Sequence, residues 1–349
     1  MPRIMSDMKN LLLLALLLIA CGTGCATSAP PPVLTASPSP APPPASAAPV
    51  SVSTALPAPS ATPVPPLAVI GYLPDYRDLN PEWARTVTDI LYFSAEPRPD
   101  GTLDSSRLSE DTLKQLRTLK KQFGTRIYIS IGGWERSSGF APMSADPATR
   151  QTFIANTLAF ALAHQLDGVD VDWEFPEDEA QFNNSIALLS EMRSALAPHG
   201  MIVSVALSPE SEFPLEAYTV ADRIHIMSYD HTPRHSTYEQ SLLDFQTFLE
   251  AGFPSGKLAL GVPFYGRRMD DFNVEASYAE IMSQFQPAPE IDEVDGIYFN
   301  GIATILQKTC FAQTQHAAGI MIWELGQDAT DSSSLLRAIG QVILDGCVQ

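Results

Sequence analysis

Residues 166–176 read LDGVDVDWEFP, and the fold can be worked out from this stretch. Asp170, Asp172 and Glu174 fall at every second position of it. The residues between them are apolar: Val169, Val171 and Trp173. Because successive side chains of a β-strand point to opposite faces, the acids share one face and the apolar residues share the other. The apolar face suits a covering helix, whereas the acidic face needs water, a metal or a substrate, since buried unpaired charges are costly.

Three carboxylates this close cannot all be ionised cheaply, because like charges raise one another's pKa. We therefore expect at least one proton to be shared within the cluster. A carboxyl group that stays protonated near neutral pH is what a general acid requires. Taken alone, the pattern fits a solvated acidic edge strand or a divalent-metal site as well as it fits catalysis.

Together with residues 167–168, the acids form DGVDVDWE, which resembles the DGxDxDxE signature of family 18 glycoside hydrolases, the chitinases and their relatives. The resemblance implies hydrolysis of β-1,4-linked N-acetylglucosamine in chitin or chito-oligosaccharides, with retention of configuration and without a cofactor. In that scheme Glu174 protonates the glycosidic oxygen, and the sugar's own 2-acetamido oxygen attacks the anomeric carbon. Asp172 stabilises the acetamido nitrogen and Asp170 shares a proton with Asp172. Tyr229 orients the acetamido oxygen.

Eight strand-like segments follow one another after residue 66, with helix-like patterns between them. The predicted strands are 67–72, 88–94, 126–131, 168–173, 202–207, 223–229, 258–264 and 319–323. The predicted helices are 109–123, 147–164, 178–196, 238–251, 302–313 and 333–344. Eight β–α units in 283 residues favour an α/β fold, a closed (β/α)8 TIM barrel forming one catalytic domain over residues 67–349. Catalysis in such barrels lies at the C-terminal strand ends, and the acids of the fourth strand run toward that end.

The ends of other predicted strands also resemble the family pattern. SIGGW at residues 130–134 resembles S-x-G-G, MSYD at 227–230 resembles M-x-Y-D, and LALGVPFYGR at 258–267 is also similar. The resemblance implies that Trp323 forms the floor under the cleaved sugar. Glu324 alternates with Trp323, so we expect it to face the helix layer. The implied substrate-contacting or site-supporting residues are Tyr72, Ser130, Gly133, Trp134, Met227, Asp230, Tyr265, Arg267 and Trp323.

Only 33 residues, 268–300, lie between the seventh predicted strand and the next predicted helix. Many deep-cleft relatives insert a small α+β domain at this point. The segment is too short for such a wall, so we expect no sizeable α+β insertion. The expected consequence is an open groove, with endo-type cleavage and little processivity.

The N-terminal region has the features of an export signal followed by a spacer. Residues 1–25 combine Arg3 and Lys9 with an apolar run at 11–20, which is too short to span a bilayer. The sequence LIAC ending at Cys21 resembles a bacterial lipobox, which predicts lipidation of Cys21; ordinary signal cleavage is the alternative. Residues 26–66 are rich in Pro, Ala and Ser, which predicts a disordered, semi-rigid linker. We therefore expect an exported protein, either a membrane-anchored lipoprotein or extracellular.

The charge of the chain excludes some classes of partner. Its formal net charge is −19, and residues 1–66 contribute +1, so the remainder carries −20. Such an acidic domain offers no footprint for nucleic acid or for an anionic membrane surface. A neutral polysaccharide remains compatible. We expect a monomer that meets a membrane only through the N-terminal lipid.

The histidines and the last two cysteines give weaker indications. The six histidines lack the spacing and the cysteine pairing of zinc sites, so no metal site is expected. Cys310 and Cys347 fit either a disulfide of an exported protein or two buried free thiols.

Two other functions remain open at this point. A carbohydrate-binding barrel without catalysis is one, although such relatives usually lack the terminal glutamate of the motif, and Glu174 is present. The other is an endo-β-N-acetylglucosaminidase acting on peptidoglycan or on N-glycans. Its chemistry is the same and only its groove differs, so the motif cannot separate it from a chitinase.

Overall fold

Eight parallel strands close into a barrel in the computed structural model, which describes residues 67–347. The strands are β1 (Ala68–Pro74), β2 (Asp89–Pro97), β3 (Arg126–Gly132), β4 (Gly168–Asp172), β5 (Ile202–Leu207), β6 (Arg223–Ile226), β7 (Leu258–Pro263) and β8 (Gly319–Trp323). Strand β1 pairs with both β2 and β8, which closes the sheet on itself. The predicted (β/α)8 TIM barrel is confirmed. The predicted signal peptide, Cys21 and the linker at 26–66 lie outside the described residues.

Helices cover the outside of the barrel. They are α1 (Glu110–Phe123), α2 (Phe140–Ala145), α3 (Pro147–His164), α4 (Glu179–Leu196), α5 (Tyr238–Glu250), α6 (Tyr278–Phe285), α7 (Ile302–Thr314) and α8 (Leu335–Asp345). Ser109, Asp146 and Asp178 cap α1, α3 and α4, each accepting a hydrogen bond from a free N–H of the first turn. Between β1 and β2, and between β5 and β6, only the 3₁₀ turns Pro81–Arg85 and Leu215–Val220 replace a helix.

The alternation along β4 separates the two faces of the barrel wall. Val169 and Val171 are buried in the apolar layer between strands and helices, and the ring of Trp173 stacks on Phe140 of α2 at 5.0 Å. Asp170 and Asp172 point the other way, into the barrel. The apolar face therefore holds the strand against the helix layer, and this fixes the direction of the acids.

The segment after β7 is more structured than its sequence suggests. Short antiparallel strands at Tyr265–Arg268, Glu275–Ser277, Glu293–Val294 and Ile297–Tyr298 form a small sheet. Helix α6 lies between the second and third of these strands in the chain. It starts at a capping box in which Ser277 and Glu280 bond each other's backbone N–H. The prediction that no sizeable insertion exists is confirmed. The sequence analysis placed no helix within residues 268–300, and the structure adds α6 there. The cleavage mode stays a prediction.

The C-terminal helices are covalently linked. Cys310 on α7 and Cys347, just after α8, form a disulfide whose Cα atoms lie 5.5 Å apart. Of the two alternatives that the sequence left open, the structure has the disulfide.

In the region from residue 67 to residue 347, no helix is long and apolar enough to cross a membrane.

Candidate active site

A cleft of about 680 Å³ opens at the C-terminal ends of the barrel strands. Its carboxylates are Asp172, Glu174, Glu210, Asp230 and Glu275. Its aromatic residues are Tyr72, Tyr76, Phe93, Trp134, Phe175, Tyr229, Tyr265, Phe272 and Trp323. Acids flanked by flat apolar rings are the lining expected of a carbohydrate site, because sugar C–H faces stack on aromatic rings.

Asp170 lies beneath the cleft floor and is fully buried. Its carboxylate accepts hydrogen bonds from the hydroxyls of Tyr72 at 2.7 Å, Ser130 at 3.0 Å and Ser204 at 2.7 Å. Nδ1 of His225 lies 3.0 Å from its Oδ1. Burial alone would raise the pKa of Asp170, but His225 and the hydroxyls of Ser204 and Tyr72 outweigh it and hold that pKa below its usual value. Asp170 is therefore an ionised carboxylate.

The strand register explains why these groups meet. Ser130 of β3 and Ser204 of β5 lie directly beside Asp170 of β4, one on each side. Residues in register on neighbouring parallel strands share a face, so both serines point into the barrel with the acid. A small hydroxyl on each side leaves room for a carboxylate and satisfies its oxygens.

Asp172 lies one step nearer the cleft and is 3% exposed. No hydrogen bond from any residue of the described barrel reaches its Oδ1. Burial raises the pKa of Asp172 well above its usual value, and the neighbouring charges of Glu174 and Asp170 raise it further. Asp172 therefore carries the proton that the cluster shares, and it lines the cleft with one buried carboxyl oxygen that has no partner in the described barrel.

Glu174 ends the acidic row at the mouth of the barrel and lines the cleft. Burial, followed by the charge of Asp230, raises its pKa to about 7. Its backbone N–H donates to the hydroxyl of Ser137 at 3.0 Å, which ties the end of the acidic row to the loop after β3. A carboxyl group with this pKa is protonated for part of the time near neutral pH and can act as both acid and base.

The two glycines of SIGGW keep the wall beside the acids thin. Both have φ near +100°, a region that favours glycine. A Cβ on Gly132 would lie 2.3 Å from the carbonyl oxygen of Asp172, and one on Gly133 would lie 2.2 Å from the ring of Phe93. The N–H of Gly133 donates to that same carbonyl at 2.6 Å. These glycines therefore position the backbone of the acidic strand.

Asp230 organises the opposite side of the cleft. It accepts hydrogen bonds from the hydroxyl of Tyr265 at 2.7 Å and from both Nε and Nη2 of Arg267, the latter at 2.9 Å. Burial opposes its charge, but His235, whose Nδ1 lies 3.6 Å away, and the hydrogen bonds from Arg267 and Tyr265 hold its pKa well below the usual range. Asp230 is thus a fixed anion that faces Glu174 across the cleft.

Tyr229 stands between the two groups of acids. In the part of the chain that the structure describes, its hydroxyl meets only the Sδ of Met321, at 4.0 Å. Burial raises its pKa well above the usual value, followed by the charges of Asp172 and Glu174. The hydroxyl therefore stays protonated and is free to bond a ligand beside Asp172.

Trp323 provides a flat apolar surface within the cleft. Its ring packs edge-on against Tyr72 at 5.3 Å and Phe93 at 4.9 Å, which leaves the indole little freedom to turn. Glu324 points away, as predicted: it is 1% exposed and pairs with Arg77 at 2.7 Å. Further out, the ring of Trp134 is 70% exposed.

Most of the residues implied by the sequence come together here. Tyr72, Trp134, Met227, Tyr229, Asp230, Tyr265, Arg267 and Trp323 line the cleft with Asp172 and Glu174. Ser130 and Gly133 do not: Ser130 is fully buried against Asp170, and Gly133 packs on Phe93. These two residues therefore support the site from behind and do not form part of the cleft surface. Across residues 67–347 no cluster of three His, Cys, Asp or Glu side chains is arranged to hold a metal ion.

Sequence reasoning missed several residues of the site. Ser204 and His225, which both contact Asp170, lie on strands that were predicted. Their alternation with apolar neighbours, in IVSVAL and RIHI, indicates that they face inward. That signal does not say which layer of the barrel each one enters, because the layer depends on the stagger between strands.

Comparison with known proteins agrees with this geometry. A family model described as "Glycosyl hydrolases family 18" matches residues 68–328. Chitinase 1 of Aphanocladium album is 29% identical over 336 residues, covering 74% of this chain and 79% of that protein. The solved structure of the GH18 chitinase ChiB of Flavobacterium johnsoniae is 29% identical with a TM-score of 0.70, covering 80% of this chain and 94% of that one. A chitinase of Bacteroides thetaiotaomicron is 26% identical with a TM-score of 0.72, covering 80% and 97%.

Proposed function

This chain belongs to glycosyl hydrolase family 18, and we propose that it cleaves β-1,4-linked N-acetylglucosamine polymers, chitin or chito-oligosaccharides, with retention of configuration. The observation that carries the proposal is the pairing of Glu174, whose pKa is about 7, with Asp172, which is buried and has a free oxygen. The first group supplies a proton to a leaving oxygen. The free oxygen of Asp172 can accept a hydrogen bond from a ligand, because no described residue donates to it.

The general acid is Glu174. Its environment keeps the carboxyl group protonated at a pH where an exposed glutamate has lost its proton, and it lies at the open end of the acidic row. After the leaving group departs, the same side chain is ionised and can take a proton from the incoming water. One residue therefore serves both steps, as microscopic reversibility requires of a retaining enzyme.

The attacking group in this proposal is the substrate's own 2-acetamido oxygen. The other carboxylates of the cleft are engaged by cations: Asp230 and Glu275 by Arg267, and Glu210 by His231. An acetamido N–H bonded to Asp172 and an acetamido oxygen bonded to the hydroxyl of Tyr229 would fill the two open positions beside Glu174. The carboxyl oxygen of Asp172 and the charge of the ionised Asp170 beneath it would then stabilise the positive oxazolinium ion.

The aromatic surface supports a neutral, flat ligand. Trp323 offers the ring face on which an apolar sugar face stacks, and its edge contacts with Tyr72 and Phe93 fix its orientation. The exposed rings of Trp134 and Tyr76 extend the apolar surface along the cleft. A polymer of several sugar units would therefore find more than one stacking position.

The test is the anomer released from a chito-oligosaccharide, read by proton NMR in the first moments of digestion. The proposal expects a β-product, no cleavage of cellulose or fully deacetylated oligomers, and a kcat/KM that falls above about pH 7 as Glu174 loses its proton. Glu174→Gln and Asp172→Asn should each lower kcat by about a hundredfold or more while substrate still binds.

Glu210→Gln is a matched control, because it removes a carboxylate that lines the cleft and that the proposed reaction does not use. An initial α-product would overturn the mechanism. Cleavage of peptidoglycan or an N-glycoprotein in preference to chito-oligomers would keep the mechanism and change the substrate.

A further inference from the structure

A line of buried polar residues runs from Asp170 toward the N-terminal ends of the strands, and the proposed reaction uses none of it. His225 and Arg223 face the barrel interior from β6, and Asp89 is the first residue of β2. His225 and Asp89 are fully buried, and the side chain of Arg223 is 7% exposed. Barrel interiors are normally filled by apolar layers, so buried charges at this depth need a reason.

The contacts of His225 determine where its proton lies. Nε of Arg223 donates to Nε2 of His225 at 3.0 Å. A guanidinium does not lose its proton in a protein, so Nε2 must be the unprotonated nitrogen. The other nitrogen, Nδ1, lies 3.0 Å from Oδ1 of Asp170 and 3.2 Å from the hydroxyl oxygen of Tyr72. The single ring proton therefore sits on Nδ1, where it can bond the hydroxyl oxygen of Tyr72 and lies beside Oδ1 of Asp170.

The lower end of the line holds Arg223 in place. Nη1 of Arg223 donates to Asp89 at 2.9 Å, and Arg126 donates to the other oxygen of Asp89 at 2.7 Å. The guanidinium of Arg223 also lies over the ring of Tyr128, 5.2 Å from its centre. With its position fixed on two sides, Arg223 presents Nε–H to His225 in one direction only.

We propose that His225 and Arg223 are positioning residues for the reaction: Arg223 fixes His225 as the neutral Nδ1–H tautomer, and that proton keeps Asp170 ionised so that the proton of the acidic cluster stays on Asp172. The proposal rests on the proposed function for its consequence in catalysis. The tautomer itself does not depend on any activity.

The first experiment reads the tautomer directly in the full-length protein. Nitrogen-15 labelling of histidine, with the His225 signals identified by their loss in His225→Asn, distinguishes a protonated from an unprotonated ring nitrogen. We expect a proton on Nδ1, none on Nε2, and no titration between about pH 5 and pH 8. A proton on Nε2, or an imidazolium in this range, would overturn the proposal even if the enzyme proves to be a chitinase.

The second experiment measures the acid limb of kcat/KM with a chromogenic diacetylchitobioside. His225→Leu removes a donor to Asp170, so the pKa of Asp170 rises and the acid limb should move up by about one pH unit. We expect kcat to fall about tenfold with KM within about twofold, since the loss affects the reacting cluster and not the sugar contacts. His225→Asn, whose amide can still donate from the position of Nδ1, should recover most of both changes.

The surface variant His199→Leu is the matched control and should leave the acid limb where it is. An acid limb that does not move in a folded His225→Leu variant would sink the proposal, and so would an equal shift in His225→Asn.

A third arm isolates Arg223. Replacing it alone leaves one oxygen of the buried Asp89 without its partner, so the variant is made as Arg223→Met together with Asp89→Asn, which removes both charges of this pair. His225 should then lose its single tautomer and begin to titrate between about pH 5 and pH 8. An unchanged Nδ1–H signal in this double variant would show that Arg223 has no part in fixing the proton. If the double variant does not fold, the nitrogen measurement on the unmodified chain still decides the proposal.

Discussion

Glu174 carries a cost in stability as well as a role in catalysis. Its pKa is 4.5 in an exposed setting and about 7 in the folded protein, so the native state holds a proton that the unfolded chain releases. For a carboxyl group with a raised pKa, the free energy of unfolding is highest below about pH 4.5 and decreases as pH rises to about 7. Above about pH 7, the buried charge of Glu174 lowers the free energy of unfolding by a constant amount.

Glu174→Gln should therefore stabilise the protein while it removes activity. We expect the variant to exceed the unmodified chain in free energy of unfolding by about 3 kcal/mol at pH 8 and to match it near pH 4.5. Denaturant unfolding at both pH values measures the difference. An equal gain at the two pH values would show that the effect comes from packing and not from the carboxylate charge.

Some residues of the site could be predicted from the sequence and others could not, because their positions have different causes. The acids of β4, Tyr229 and Trp323 sit at strand ends, and a strand that ends at the rim of a barrel delivers its last residues to the cleft. Ser204 and His225 sit lower, and their contacts with Asp170 depend on the stagger of β5 and β6 against β4. One strand's sequence carries no information about that stagger.

The same distinction holds for whole elements. Most of the long helices were predictable because they carry their own cap and their own apolar face, as α1 does with Ser109 and three buried leucines. The small sheet between β7 and α7 was not, because its strands are two to four residues long and their pairing is set by their partners. This sheet matters, since Arg267 and Glu275 reach the cleft from it.

The disulfide should stabilise the last two helices against separation from the barrel. Cys310 and Cys347 are 37 residues apart, and closing a loop of this length removes unfolded-state entropy equivalent to about 3–4 kcal/mol. We expect reduction, or the double variant Cys310→Ser with Cys347→Ser, to lower Tm by about 5–10 °C.

The disulfide can also be tested by counting free thiols. Denatured, unreduced protein and the double serine variant should titrate the same number of thiols, because neither has a free sulfur at these positions. Cys310→Ser alone should add one thiol by releasing Cys347. Two more thiols in the unmodified chain than in the double variant would contradict the disulfide.

At the scale of the whole molecule, the barrel and the N-terminal region differ in amino-acid composition. The barrel closes on itself through β1 and β8 and buries its apolar wall between strands and helices. Residues 29–66 contain 14 prolines in 38 positions and no charged residue, so they have little with which to build a core. We propose that this segment is a spacer that holds the catalytic barrel away from a membrane.

We propose that this spacer is tethered to the membrane through Cys21, which is open to a direct test. The lipobox-like LIAC motif predicts that the sulfur of Cys21 receives a lipid, which gives stable anchoring when more than one acyl chain is attached. Cys21→Ser should move the protein from the membrane fraction to the soluble exported fraction, with specific activity on soluble chito-oligomers unchanged because the barrel is not touched. Cys25→Ser is the matched control, since it alters a cysteine four residues away that does not complete the motif, and it should stay with the membrane. If Cys21→Ser remains in the membrane fraction as fully as the unmodified chain does, with its signal processed at another position, lipidation at this residue is excluded, and the run at residues 11–20 belongs to an ordinary cleaved signal.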